Sequence, residues 1–274
     1  MSKFILPDPN NDKNIQLSNL FDKTSLLIPV VAGILAISLL IFPNLNQSIF
    51  LTLNQFGTTF SPSMWANLTI LGDSLVVMSF FLVFVYWRPQ LVWGAILGAL
   101  VATVYIHGLK HLLEFARPAA VLDKESFRII GPTLLANSFP SGHSATTMFV
   151  AGIFWFYLRP LPLKLSVVIL SLLVALSRVM VGAHWPCDIL GGAFGGWISA
   201  YLGIYLSQRF TWGNKIIGQR IIAILLLVSV VYLLFWHNTR YADAHTLQVI
   251  IALSSLLISL PGLYNLFFNQ NLKD

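Results

Sequence analysis

The sequence predicts an all-α membrane protein, a polytopic bundle of transmembrane helices. Of its 274 residues, 57% are hydrophobic and only 9% are charged, and the mean hydropathy is +0.78. A soluble domain carries about 25% charged residues, so most of this chain is expected to face lipid or other helices. The apolar runs are about 18–22 residues long, which suits helices that cross a bilayer rather than the short alternating runs of a membrane barrel.

Charge and cysteine content argue against two other classes of protein. The net charge is +6, and we attribute it to loop lysines and arginines that set membrane topology rather than to a surface for nucleic acid. The single cysteine, Cys187, excludes an internal disulfide. The first 24 residues are polar and mixed in charge, so no signal peptide is expected.

The order of polar and apolar segments divides the chain into three parts. Residues 1–24 are a polar tail, residues 25–207 form a six-helix transmembrane core, and residues 208–274 add a two-helix transmembrane extension. Residues 44–63 mix apolar side chains with Asn, Gln and Thr, so this segment is expected to lie along the membrane surface. The eight predicted spans are residues 25–42, 65–87, 91–115, 142–158, 163–181, 188–207, 216–236 and 247–267.

The distribution of basic residues predicts the orientation in the membrane. With the amino terminus inside, ten of the 16 lysines and arginines fall in inner segments and six in outer ones. Three of those six belong to the polar clusters described next. The positive-inside rule therefore predicts that both termini are cytoplasmic.

Three polar clusters stand out in this apolar sequence. Each lies at the predicted outer end of a span, so residues from distant parts of the sequence are expected to meet at one membrane face. Together they supply three cations, two histidines and one carboxylate, which suits the handling of phosphate. The clusters are Lys110 with Arg117-Pro118, then Pro140-Ser141-Gly142-His143, then Ser177-Arg178 with His184 and Asp188.

Helix geometry gives each cluster a local shape. Lys110 and Arg117 are seven residues apart, or two helical turns, so their side chains are expected on one helix face about 10 Å apart. Ser141-Gly142-His143 opens a helix, where free backbone N–H groups and the helix dipole favour an anion. A proline at position 186 suits the first turn of the next helix, which brings Asp188 within reach of His184. A carboxylate beside an imidazole makes the other ring nitrogen a better nucleophile or base.

Asp73 is a further charge inside a predicted span, at a depth similar to that of Lys110. We expect it to support the cluster from beside Lys110 or one of the arginines, because an unpaired charge in the membrane is costly. The alternative, which stays open, is a polar packing residue bonded to a neighbouring helix. His237 and His245 lie near the outer ends of the last two spans and are expected to be solvated.

Taken in order, the patterns K-x6-R-P, P-S-G-H and S-R-x5-H-x3-D resemble the type 2 phosphatidic acid phosphatase superfamily. This superfamily includes bacterial lipid phosphatases, undecaprenyl pyrophosphate phosphatases, glucose-6-phosphatase and vanadium haloperoxidases. A fixed residue recurs at a given position about one time in twenty by chance, so eleven matching positions in three ordered clusters are specific. The resemblance covers residues 25–207 and leaves the last two spans unexplained.

The resemblance implies a role for each residue. His184 attacks phosphorus and becomes a phosphohistidine, Asp188 orients His184, and His143 protonates the leaving oxygen. No cofactor is expected, and we predict that the activity is independent of metal ions because three fixed cations take the place of magnesium. The residues expected to hold the phosphate oxygens are Lys110, Arg117, Arg178, Ser141 and the backbone N–H of Gly142.

The implied function is hydrolysis of a lipid phosphomonoester or pyrophosphate in a bacterial inner membrane, from the extracytoplasmic side. Undecaprenyl pyrophosphate is the first candidate substrate, and phosphatidic acid or phosphatidylglycerol phosphate come next. One alternative is a lipid phosphotransferase that passes the phosphoryl group to an acceptor such as lipid A, and another is a non-catalytic transporter or scaffold. His143, His184 and Asp188 as metal ligands are a third alternative, which three nearby cations disfavour.

Overall fold

The computed structural model describes residues 23–269, and the predicted tail at residues 1–24 lies almost wholly outside them. The described part is helical and contains no strand. The helices are α1 (Lys23–Ile41), α2 (Pro43–Gly57), α3 (Pro62–Ile70), α4 (Ser74–Leu82), α5 (Pro89–Leu113), α6 (Pro118–Val121), α7 (Gly142–Tyr157), α8 (Leu161–Met180), α9 (Pro186–Arg209), α10 (Ile216–Phe235) and α11 (His245–Phe268).

Length and hydropathy support membrane spans for most of these helices. Five segments of the described chain are long and apolar enough to cross a bilayer, or up to seven if each of two bent helix pairs is one span. The predicted span at residues 142–158 is not among these segments; it corresponds to α7, which has 16 residues and is about 24 Å long at helical rise. Helix α7 is therefore shorter than the hydrocarbon layer of about 30 Å, and it lies among longer helices. The fold as a whole is a polytopic helical bundle.

Helix α9 lies at the centre of the bundle and packs against α1, α5 and α7. Small residues make this possible, because a Cβ added at Gly196 would lie 2.1 Å from the carbonyl oxygen of Ala145 on α7. On the other side of α9, a Cβ at Gly203 would lie 2.4 Å from the carbonyl oxygen of Gly94 on α5. Close helix packing through small residues is typical of membrane bundles, and here it brings the amino-terminal ends of α7 and α9 together.

The first bent pair changes the direction of the chain after the first predicted span, and the placement of residues 44–63 along the membrane surface stays a prediction. Helix α2 begins at Pro43 and departs from the direction of α1 by 109°. Some of its polar side chains face the protein interior. Asn54 is buried and donates to the carbonyl oxygens of Arg128, Val179 and Met180 at 3.0–3.2 Å. Helix α2 is thus fastened to the loops at one end of α8.

The second bent pair corrects the predicted span at residues 65–87, which is not one continuous helix. Helices α3 and α4 meet at a 57° bend, and Asp73 caps the start of α4 by accepting the backbone N–H of Leu75 at 2.9 Å. An aspartate that accepts such a bond is a helix N-cap. A Cβ at Gly72 would lie 2.9 Å from Cβ of His143, so the break in this span lies directly against α7.

The two C-terminal helices join the core. Helix α10 packs against α4 and α11, and α11 also packs against α4. Leu226 and Val230 of α10 share one buried hydrophobic cluster with Leu82 of α4 and Phe149 of α7. Apolar side chains from both sides of residue 207 thus pack together in this cluster. The predicted division of the chain at this residue stays a prediction.

Candidate active site

The turn between α8 and α9 holds two of the predicted site residues in contact. Nδ1 of His184 lies 3.2 Å from Oδ2 of Asp188, and both side chains are buried. Pro186 is the first residue of α9, and Asp188 accepts the backbone N–H of Trp185 at 2.8 Å. Gly182 makes the turn with a φ of +75°, and a Cβ there would lie 2.6 Å from the carbonyl oxygen of Arg128. The predicted helix start at Pro186 and the His184–Asp188 pair are both present.

The Asp188 carboxylate is fixed by several donors in addition to His184. Ser138 donates to its Oδ2 at 2.5 Å, and the thiol of Cys187 lies 3.6 Å from Oδ1. Cys187 is itself held by Asn46 of α2, whose Nδ2 lies 3.3 Å from the sulfur. A carboxylate with this many fixed partners has one orientation, and it holds the His184 ring in the tautomer with the proton on Nδ1.

Arg117 contacts the other ring nitrogen of His184. Its Nη1 lies 3.1 Å from Nε2 of His184 and donates to the carbonyl oxygen of Ala183 at 2.8 Å. Its Nε donates to the carbonyl oxygen of Ala136 at 2.7 Å. With Nδ1 engaged by Asp188, the Nε2 lone pair of His184 points toward a guanidinium group.

The predicted geometry of Lys110 and Arg117 on one helix is wrong. Helix α5 ends at Leu113, Glu114 takes a left-handed conformation with a φ of 45°, and Arg117 lies beyond the helix. The two side chains nevertheless meet at one group, because Lys110 and Arg117 donate to the carbonyl oxygen of Asn137 at 2.5 and 3.3 Å. Their convergence arises from the loop at residues 135–138 and not from helical periodicity.

Arg178, near the end of α8, is buried and only partly satisfied by protein groups. Its Nη1 donates to Oγ1 of Thr69 at 2.7 Å and to the hydroxyl of Tyr241 at 2.9 Å. Its Nε is buried and has no hydrogen-bond partner in the described chain. A buried guanidinium with an unsatisfied donor is costly unless a ligand completes it, and an anion at this place would do so.

The start of α7 carries the second predicted cluster. Ser141 is the N-cap residue, and its hydroxyl oxygen accepts from the backbone and the hydroxyl of Ser144 at 3.4 and 3.1 Å. The backbone N–H of Ser141 donates to the carbonyl oxygen of Asp188 at 3.0 Å, which ties α7 to α9. A Cβ at Gly142 would meet no atom within 4 Å, so space is open beside this helix terminus, where an anion is favoured.

The positive charges of the site act on His184. Lys110, Arg117 and Arg178 all lie close enough to His184 to disfavour a proton on its ring. Burial, followed by the charges of Arg117 and Arg178, lowers the pKa of His184 well below its usual range. His184 is therefore neutral at physiological pH, with its Nε2 lone pair directed at Nη1 of Arg117.

The described residues do not support the alternative of a metal centre. Within residues 23–269, no three side chains of His, Cys, Asp or Glu are grouped so that they could hold a metal ion. His184 and Asp188 contact each other, and the side chains that contact this pair are those of Arg117, Ser138 and Cys187. Independence of metal ions stays a prediction, and a chelator tests it.

Asp73 contacts a different residue from the one expected. Its Oδ2 lies 2.9 Å from Nε2 of His237, and the described chain contains no ion pair between Asp73 and a lysine or arginine. The expectation that His237 is solvated is also wrong, since this ring is half-buried against Asp73. His245 is exposed, as expected. Asp73 still lies beside the site, because Gly72 packs on His143.

Several residues that shape the site were missed by sequence reasoning. They are polar side chains whose partners lie far away in the sequence, and none belongs to a short motif. Ser138 is one example. It follows a polar loop, and its hydroxyl contacts Asp188. The others are Asn46, Asn54, Thr69, His237 and Tyr241.

A comparison with known protein families finds a match to the part of the chain that holds the three polar clusters. A sequence model of the PAP2 superfamily matches residues 102–212. All three clusters fall inside that range. The similarity to the PAP2 superfamily therefore lies in the part of the chain that holds the site. Asp73, His237 and Tyr241 lie outside the PAP2 match, as do both C-terminal helices.

Two curated proteins represent the relatives to which this chain is similar. A lipid A 1-phosphatase from Rhizobium etli is 33% identical over 131 residues, which are 44% of this chain and 55% of that protein. The Escherichia coli protein YbjG, provisionally named an undecaprenyl-diphosphatase, is 27% identical over 182 residues, which are 63% of this chain and 87% of that protein. The match with the Rhizobium protein thus spans only about half of its length.

A solved structure supports the fold. The crystal structure of Aquifex aeolicus LpxE superposes with a TM-score of 0.54 and 24% sequence identity, and the alignment covers 59% of this chain and 95% of that one. At this level of identity the likeness concerns the fold of the helical core.

Proposed function

We propose that this protein is an integral membrane lipid phosphatase of the PAP2 type that works through a phosphohistidine at His184. The observation that carries the proposal is the environment of this one ring. Asp188 engages Nδ1, Nη1 of Arg117 lies 3.1 Å from Nε2, and the buried Nε of Arg178 has no partner in the described chain. A neutral nucleophile beside fixed cations is what phosphoryl transfer requires, because catalysis depends on positioning and on neutralising charge.

The proposed reaction has two steps. Nε2 of His184 bonds to phosphorus while the bond from phosphorus to the leaving oxygen breaks, and His143 gives that oxygen its proton. Asp188 stabilises the positive charge that develops on the ring. Water then attacks the phosphohistidine and loses a proton to His143, and inorganic phosphate leaves as the bond to Nε2 breaks. The proposed phosphate ligands are Lys110, Arg117, Arg178, Ser141 and the N–H of Gly142.

An apolar cavity next to the site favours a lipid substrate. It has a volume of about 620 Å³ and is lined by α4, α7 and α8. Thr147 lines it one helical turn after His143, and Val174 lines it one turn before Arg178. A phosphate held by the cations would therefore have room for an apolar chain directly beneath it, as a lipid in the same leaflet requires.

The relatives narrow the substrate class. Undecaprenyl pyrophosphate remains the first candidate, lipid A 1-phosphate joins it because of the Rhizobium relative, and phosphatidic acid or phosphatidylglycerol phosphate follow. The acceptor in the second step is proposed to be water. Phosphate release without an added lipid acceptor supports hydrolysis, whereas release that requires an acceptor lipid supports the phosphotransferase alternative.

The decisive experiment is a phosphate-release assay with the purified protein in detergent over these four lipids. The wild type is expected to release phosphate from at least one of them, and His184→Ala is expected to release none above background. His111→Ala is the matched control, because His111 is an exposed histidine of α5. Release by His184→Ala at the wild-type rate contradicts the proposal.

The proposed orientation has both termini in the cytoplasm and the site on the extracytoplasmic side. The loop at Lys124 lies at the end of the bundle that holds the site, and Arg159 lies at the opposite end of α7; both residues are exposed. Because the native Cys187 is buried, a cysteine introduced at either place can be labelled selectively. We expect an impermeant maleimide to label Lys124→Cys in intact cells and Arg159→Cys only after permeabilisation, and the reverse pattern would invert the topology.

A further inference from the structure

The loop between the two C-terminal helices reaches into the site of the core. We call residues 236–244 the C-terminal loop. Its Tyr241 is buried, and its hydroxyl oxygen accepts a hydrogen bond from Nη1 of Arg178 at 2.9 Å. The other bond of this Nη1 goes to Thr69 of α3 at 2.7 Å. Both partners of the guanidinium thus come from outside the matched PAP2 range.

These two bonds determine which edge of Arg178 is free. Nη1 is engaged on one side, while Nε is buried without a partner and Nη2 makes no hydrogen bond within the described chain. The Nε and Nη2 donors of a guanidinium point the same way and bind two oxygens of one phosphate or carboxylate. Tyr241 therefore holds Arg178 with its bidentate edge available to an anion.

Tyr241 is itself held firmly. Its ring packs against Gly131, where a Cβ would lie 2.5 Å from the ring and where the backbone has a φ of +81°. It belongs to a buried cluster with Trp65 of α3 and Ala183, the residue before His184. A ring fixed in this way transmits the position of the C-terminal loop to Arg178.

The start of the same loop is fastened to the break in the second span. Nε2 of His237 lies 2.9 Å from Oδ2 of Asp73, and Asp73 caps α4 through the backbone N–H of Leu75. The preceding Gly72 packs on Cβ of His143. His237 thus braces the segment against which the proposed acid residue lies.

We propose that the C-terminal loop is a working part of the phosphatase site, in which Tyr241 positions Arg178 and His237 positions the segment behind His143. This proposal rests on the proposed function, and it gives the two additional helices a role: they carry the loop to the site. Both residues act through another side chain and are positioning residues.

The first test compares Tyr241→Phe with wild type in two measurements. Binding of orthovanadate, a phosphate analogue, is followed by thermal shift of the purified protein, and phosphate release gives kcat/KM. Because a hydrogen bond to a charged group is lost, we expect vanadate affinity and kcat/KM each to fall about tenfold or more. Tyr264→Phe is the control, since Tyr264 is 66% exposed on α11 and should leave both values unchanged.

A merely structural role for Tyr241 gives a different result. It would lower the unfolding midpoint and leave the vanadate affinity of the folded fraction at the wild-type value. Vanadate affinity and kcat/KM within twofold of wild type overturn the proposal for Tyr241. Because vanadate binding needs no turnover, it tests the positioning of Arg178 even if no lipid in the panel is hydrolysed. A wild type that does not bind vanadate overturns both this proposal and the proposed function.

The second test uses conservative rescue at position 237. His237→Ala removes the donor to Asp73 and is expected to lower kcat several-fold with little change in KM, because the affected group acts on the leaving oxygen. His237→Gln places an amide donor near the position of Nε2 and is expected to recover most of the loss. His245→Ala serves as the control, because His245 is an exposed histidine at the start of α11. An unchanged His237→Ala variant, or equal loss in both variants, contradicts the role of His237.

Discussion

Nη1 of Arg117 lies 3.1 Å from Nε2 of His184, the ring nitrogen that Asp188 does not engage. At this distance the proposed nucleophile, His184, and the proposed phosphate ligand, Arg117, can both contact the same phosphate group. The contact also predicts that the guanidinium cannot be replaced by an ammonium group. Arg117→Lys loses the donor beside His184 and two donors to loop carbonyls, so kcat/KM is expected to fall about 10²–10³-fold. Phosphate-release kinetics check this, and a value within threefold of wild type refutes it.

The His184–Asp188 pair predicts a large effect from a small change. Asp188→Asn keeps the volume and the acceptor for Ser138 and Trp185, but it removes the charge that stabilises the protonated ring. By analogy with catalytic triads, kcat is expected to fall about 10³–10⁴-fold. Asp123→Asn, at an exposed residue, is the control, and the thermal midpoint of both variants should stay near that of wild type. Retention of more than a tenth of kcat by Asp188→Asn argues against the role of this pair.

The buried neutral state of His184 predicts how stability depends on pH. Because its pKa in the folded protein lies well below its usual range, the unfolded chain takes up a proton near pH 6.5 while the folded protein does not. Stability is therefore lost as pH falls below about 6.5, with a slope of up to about 1.4 kcal/mol per pH unit from this one group. Thermal unfolding at pH 7.5 and 5.5 should show a smaller loss in His184→Gln than in wild type. An equal loss in both proteins contradicts the prediction.

The apolar cavity predicts selectivity for lipid chains. Leu170 of α8 lines it and is half-exposed, so Leu170→Trp should fill part of it without disturbing the cations. We expect KM to rise several-fold for a long-chain lipid phosphate and to stay unchanged for a soluble phosphomonoester. Leu172→Trp, which is equally exposed on α8 but does not line the cavity, is the matched control. An identical change for both substrates would show that the cavity does not hold the chain.

The set of cations predicts activity without a metal ion. Lys110, Arg117 and Arg178 provide fixed positive charge around the proposed phosphate site, which elsewhere magnesium supplies. Phosphate release is expected to be the same within error before and after dialysis against EDTA. A loss of activity that added Mg²⁺ or Zn²⁺ restores would refute the prediction.

Much of the site followed from sequence because its residues sit at helix ends. Pro186 marks the start of α9 and Ser141 the start of α7, so the turn chemistry alone indicated where His184 and His143 lie. The break at Gly72-Asp73 was not predicted, although an aspartate after a glycine is a helix-start signal. The hydropathy of the surrounding residues hid it, because a broken span and a continuous one have nearly the same composition.

The remaining features could not be predicted because they depend on distant contacts. The chain between Lys110 and Arg117 leaves the helix at Glu114, which has a left-handed conformation. Such a conformation usually occurs at glycine, and the sequence has no glycine there. Tyr241 contacts Arg178 across 63 residues, and Asn46 contacts Cys187 across 141. In both pairs one partner lies in a segment with no periodicity or motif of its own, so only the packing of helices reveals it.

The central claim is that His184 carries the phosphoryl group, and trapping that intermediate tests it most directly. Wild-type protein is mixed with a lipid labelled with ³²P at the phosphate to be released, quenched within milliseconds and digested. The account predicts an acid-labile, alkali-stable label on the peptide that contains His184, and no label in His184→Ala. Turnover with the label on another residue, or full activity in His184→Ala, would contradict the account.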